Sequence, residues 1–119
     1  MQNVDDILAD AHAALDLYPY YVRLAVLSRE KNHCKIRLMV RENLFVQANR
    51  NVLAALTNFA LIHEGQRLFG RDEYRGQWHY HPAENPVQHD RSVAGQKAVT
   101  LAEFLVEVDA ICRRTNLVP

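Results

Sequence analysis

The sequence has few of the residues that mark the most recognisable functional classes. It holds two cysteines, Cys34 and Cys112, with no CxxC pair, so neither a disulfide framework nor a zinc-ribbon reading applies. Four glycines and four prolines in 119 residues leave no room for a low-complexity linker. Neither charge sign is in excess: 14 Lys and Arg balance 14 Asp and Glu. Proteins that coat nucleic acid or anionic membranes usually carry a basic surplus, so strong nonspecific binding of that kind is not expected. No apolar run approaches the ~18 residues of a membrane helix. The first residues are acidic and amphipathic, without the basic start of a secretory signal. The expected compartment is the cytoplasm, with no membrane partner. GxSxG, P-loop, GxGxxG, HExxH and EF-hand patterns are also missing, which argues against nucleotide hydrolysis, Rossmann redox chemistry and zincin proteolysis.

What remains reads as a single domain over 1–119, large enough to bury a core of its own. Hydrophobic residues make up 49% and charged residues 24%, which are globular proportions. The charges are unevenly placed. Asp5, Asp6, Asp10 and Asp16 occupy a start without Lys or Arg, whereas 23–50 holds seven bases against two acids. A solvated sheet face beside an acidic helix would explain this, and so would a surface that faces an anion or RNA.

Along the chain, Val4, Ile7, Leu8, Ala11 and Leu15 predict a helix over about 4–17, capped by Asn3 and ended at Tyr18-Pro19. Residues 20–28 are rich in Tyr, Val and Leu, as strands are. Over 34–40, Ile36, Leu38 and Val40 alternate with Lys35 and Arg37, an amphipathic strand with a basic outer face. These two strands form a hairpin around a polar turn. Residues 47–51, with two Asn and an Arg, predict an irregular connection, followed by a strand over about 53–63. Glu64-Gly65 is a hairpin signal leading to a partner strand over 66–70. Periodicity is lost over 71–96, which predicts a long functional loop. Thr100-Leu101-Ala102-Glu103 is a capping box opening a C-terminal helix, with Leu101, Phe104, Leu105, Val108, Ile111 and Cys112 as its apolar stripe. The expected fold is α+β: an antiparallel sheet of four to five strands with the N- and C-terminal helices packed on one face.

The chemistry-bearing residues concentrate in the expected loop. Arg71, Asp72, Arg75, His79 and His81 are the candidate catalytic residues, with Trp78 and Tyr80 between them and His89, Asp90 and Arg91 following. Two imidazoles two residues apart point the same way in extended backbone, so one can serve as base and the other as acid. Arg71 or Arg75 would then offset charge on a phosphorane, and Trp78 or Tyr80 would stack on an unpaired base. The same His79-x-His81 pair supplies only two of the three or four ligands zinc requires, so no metal and no cofactor is expected. A metal-dependent hydrolase built on that pair is a third reading. The blander alternative is that His, Tyr and Trp pin a loop to the sheet edge.

The order of parts resembles the TumE-like family of prokaryotic toxin–antitoxin proteins. The resemblance runs through Ile36-Arg37-Leu38-Met39-Val40-Arg41-Glu42, then Asp72, Gly76, His79 and His81, then Thr100-Leu101-Ala102-Glu103-Phe104-Leu105. Glu73 stands where the family pattern has Asn, and Arg75 where it has His. The resemblance implies a toxin component partnered by a cognate antitoxin protein that carries a DNA-binding domain. RNA is the expected target. The competing expectation is a non-catalytic binding module whose basic hairpin face docks an acidic partner or, as a homodimer, a second copy of the chain.

Overall fold

A computed structural model describes residues 2–81 and 97–119, with the side chains of Tyr80 and His81 left outside the described part. The chain runs α1 (Val4–Leu17), β1 (Arg23–Arg29), β2 (His33–Arg41), β3 (Leu44–Asn51), β4 (Leu56–His63), β5 (Gln66–Tyr74), β6 (Gln77–His81) and α2 (Leu101–Arg114). The six strands form one antiparallel sheet in sequence order, a meander of consecutive hairpins. Both helices pack on one face of the sheet and against each other. The expected α+β architecture is therefore present, with six strands rather than four to five.

Each helix starts where its side chains can satisfy the backbone. Asn3 Oδ1 accepts from the Asp6 amide at 2.8 Å, and Asp6 accepts in turn from the Asn3 amide at 2.9 Å. Thr100 and Glu103 make the same reciprocal pair at the start of α2, at 3.1 and 2.9 Å. Caps of this kind contribute about 1 kcal/mol each. Arg113 and Arg114 lie in the last turn of α2, where the helix dipole favours positive charge. Among the described residues no helix is long and apolar enough to cross a membrane.

Strand periodicity then sorts the side chains. Cys34, Ile36 and Leu38 of β2, Leu44, Val46 and Ala48 of β3, Phe59 and Leu61 of β4 and Phe69 of β5 face the helices. They meet Ile7, Leu8 and Ala11 of α1 and Leu101, Phe104, Leu105 and Val108 of α2. The Phe104 ring sits 5.4 Å from Phe69 and 5.5 Å from Phe59, at the centre of the core.

Two stretches depart from expectation. Residues 47–51 are not irregular but form the second half of β3. There Arg50 takes an inward slot, 1% exposed, that an apolar residue would normally hold. Residues 71–81 are not the start of a loop but a hairpin, β5 into β6. Its two-residue turn, Arg75-Gly76, has φ of 52° and 84°, the same left-handed pairing as Glu64-Gly65 at 51° and 76°. Two consecutive positive φ values match the twist of flanking strands, and glycine takes the second without strain.

Arg50 is held by partners from two other strands. Its Nη1 donates to Glu73 Oε1 and to Thr57 Oγ1, each at 2.8 Å, and Thr57 donates to the same Glu73 oxygen at 2.9 Å. A buried arginine is tolerable only in such a setting, because an unpaired charge in a low-dielectric interior is costly.

Candidate functional site

The face of the sheet opposite the helices carries a polar row in strict register. Lys35 of β2 pairs with Asn49 of β3, Asn49 with Asn58 of β4, Asn58 with Asp72 of β5, and Asp72 with His79 of β6. Directly opposed residues in an antiparallel sheet point to the same side and lie close enough for their side chains to meet. This face, opposite α1 and α2, is therefore where five strands bring amides, a carboxylate, an imidazole and bases together.

Asp72 is the centre of the arrangement. Asn58 Nδ2 donates to its Oδ1 at 2.9 Å. Arg67 grips both oxygens, Nη2 to Oδ1 at 2.7 Å and Nη1 to Oδ2 at 3.2 Å. A register shift in the β4–β5 pairing, where Arg67 and Phe69 meet Ile62 and Leu61, brings Arg67 to this side. Its guanidinium then lies across Gly70. A Cβ at that position would come within 2.0 Å of Arg67 Nη2, so only glycine permits the approach. His79 Nε2 is 3.8 Å from Asp72 Oδ2, an ion pair when the ring is protonated. The Asp72 and His79 side chains are 16% and 15% exposed, sheltered from bulk water yet still open to it.

The rest of the face is polar and basic. His33 Nε2 bonds Asn49 Oδ1 at 2.8 Å, and Arg37 Nε donates to Gln47 Oε1 at 3.0 Å. The Arg37 guanidinium lies 4.5 Å above the centre of the Phe45 ring, a cation–π contact.

The five residues expected to act together do not all meet. Asp72 and His79 are neighbours. Arg71 is turned by strand alternation to the helix side, where Nε donates to Glu107 Oε1 of α2 at 3.0 Å. Arg75 sits exposed in the β5–β6 turn, its guanidinium 5.3 Å over the Tyr74 ring. His81 is the last residue of β6, opposite Gly70 in register, and its side chain lies outside the described residues. His89, Asp90 and Arg91 also lie outside them. Arg67 and Asn58 join the pair as well. No spacing in the sequence announces that Arg67 reaches Asp72, because the irregular register and the glycine that admit it appear only once the strands are paired.

An imidazole held beside a carboxylate can accept or donate a proton in a reaction, and the carboxylate steadies the protonated ring. The thiols offer no rival nucleophile. Both cysteines are buried; burial pushes the Cys34 thiol up and the Cys112 thiol up to about 11. Among the described residues no group of three His, Cys, Asp or Glu could hold a metal ion. Comparison with known proteins gives no match to a family model, to a curated protein or to a solved structure.

Proposed function

We propose that this chain is the toxin component of a toxin–antitoxin pair and acts on RNA through the face of its sheet opposite α1 and α2. The observation that carries the reading is the Asp72–His79 pair, oriented by Asn58 and Arg67 on a face that also carries Lys35 and Arg37. Bases on a sheet meet phosphates, amides read base edges, and an imidazole supplies proton transfer. In strand cleavage His79 accepts the proton of the ribose 2′-hydroxyl as that oxygen attacks phosphorus. The bond to the 5′-oxygen breaks, and that oxygen takes a proton from His81 or water. The products are a 2′,3′-cyclic phosphate and a 5′-hydroxyl. Arg67, paired with both oxygens of Asp72, steadies the carboxylate in this reading, while Arg71 and Arg75, the cations expected from the sequence, point away from the pair. The antitoxin partner rests on the resemblance to the TumE-like family.

The test is in vitro. Purified chain should cut an end-labelled single-stranded RNA and leave cyclic-phosphate ends. His79→Ala should lower the rate by about 10²-fold or more, the usual worth of a general base. Arg75→Ala should leave it nearly unchanged. A folded His79→Ala protein that cuts at the wild-type rate would remove the imidazole from the mechanism.

A second reading, a non-catalytic binding module, is favoured by the edge of the sheet. Among the described residues β1 is paired on one side only, and Val26 and Leu27 on it are 50% and 49% exposed. An extended partner segment could add to that edge. Capture of an extended peptide along β1, with no cleavage of RNA, would favour this reading.

A further inference from the structure

On the helix side of the sheet a pocket of about 670 Å³ opens between the N-terminal ends of α1 and α2. That volume lies in the range of small-molecule sites. It is lined by Arg50, Thr57 and Glu73 and by the rings of Phe59 and Trp78, which stand 6.4 Å apart.

The ion pair in this pocket is only half made. Arg50 uses Nε on the Gln2 carbonyl at 3.0 Å and Nη1 on Thr57 and Glu73. Its Nη2 is buried and has no hydrogen-bond partner among the described residues. Both bonds that reach Glu73 end on Oε1, which leaves Oε2 for another donor. An arginine and a carboxylate usually close as a two-pronged fork. Here the second nitrogen of one group and the second oxygen of the other are left over. Buried donors are almost always matched, so an unmatched one in a pocket wall calls for a ligand.

The surroundings limit what that ligand can be. Asp6, Asp10 and Glu103 also line the pocket, which disfavours an anion. The amides at the start of α2 offer no anion seat either. Leu101 N donates to Gln2 Oε1, Ala102 N to Asp10 and Glu103 N to Thr100. A neutral group with a carbonyl beside an N–H, a lactam edge, would accept from Nη2 and donate to Oε2. The flanking rings favour a planar body.

We propose that this pocket binds a neutral planar heterocycle with a lactam edge, with the guanine base of a nucleoside as the fitting example. The site lies on the face of the sheet opposite Asp72 and His79, so it stands or falls separately from the RNA reading.

Trp78 is the chain's single tryptophan, so its fluorescence reports on this pocket. Guanosine titrated into the full chain should give a saturable change with a micromolar dissociation constant. Adenosine, which lacks the ring carbonyl, should bind about tenfold more weakly or worse. Guanosine monophosphate should bind more weakly than guanosine, because of the acidic lining. Ala102→Phe narrows the pocket from an exposed position on α2 without touching the ion pair. It should weaken guanosine about tenfold with an unchanged circular dichroism spectrum. Three results would each overturn the proposal: no saturable change at millimolar guanosine, equal affinity for adenosine, or tighter binding of the monophosphate. So would wild-type affinity in Ala102→Phe.

Discussion

Glu73→Ala is expected to lower stability by about 3–5 kcal/mol, because it strands a buried guanidinium without its charged partner. Arg50 is 1% exposed and Glu73 5%. With the carboxylate gone, Arg50 keeps the Thr57 hydroxyl and the Gln2 carbonyl, which are neutral acceptors. Thr57 loses the oxygen it donates to as well. The loss is thus mostly the penalty of an uncompensated buried charge, not the net worth of the pair. That distinction has its own test. The double variant Arg50→Met/Glu73→Leu removes both charges and should recover most of the lost stability. Urea titrations of the three proteins measure both effects. A Glu73→Ala loss below about 1 kcal/mol would mean that water reaches Arg50 in solution.

Phe104→Ala should cost a similar amount, about 3–5 kcal/mol, by a different route. Phe104 is fully buried and lies parallel to Phe69, at an interplanar angle of 1°. Phe59 packs on it as well, so the ring joins α2 to both β4 and β5. Truncation removes its apolar contacts and leaves a cavity that two strands and a helix cannot close together. Val106 on the same helix is 62% exposed, and Val106→Ala should change stability by less than about 0.5 kcal/mol. Equal denaturation midpoints for Phe104→Ala and wild type would place α2 outside the core.

The contrast between helices and strands explains what the sequence made legible. Both helices announce themselves locally: Asn3 with Asp6 and Thr100 with Glu103 close capping boxes within four residues, and the apolar stripes follow. The second half of β3 hid because Arg50 occupies an inward slot. Its acceptability depends on Glu73, 23 residues away in sequence. The second half of β5 hid for a related reason. Arg71 and Glu73 face inward to meet Glu107 and Arg50, while Asp72 faces outward, so no apolar–polar alternation survives. The Arg75-Gly76 turn carried the same X-Gly signal as Glu64-Gly65 and could have been recognised. The split of the candidate residues follows directly. Once 71–74 is strand rather than loop, Arg71 and Asp72 must lie on opposite faces. Arg67 joins Asp72 only through the register shift and Gly70, which adjacency in sequence does not encode.

Controlled expression in a bacterial host tests the central claim most directly, that the Asp72–His79 face is the working surface of a toxin. Wild-type chain expressed alone should slow growth, and His79→Ala/His81→Ala, shown by circular dichroism to be folded, should relieve it. A folded double variant that slows growth as strongly as wild type would contradict the assignment of chemistry to this face. A wild-type chain that never slows growth would contradict the toxin reading itself.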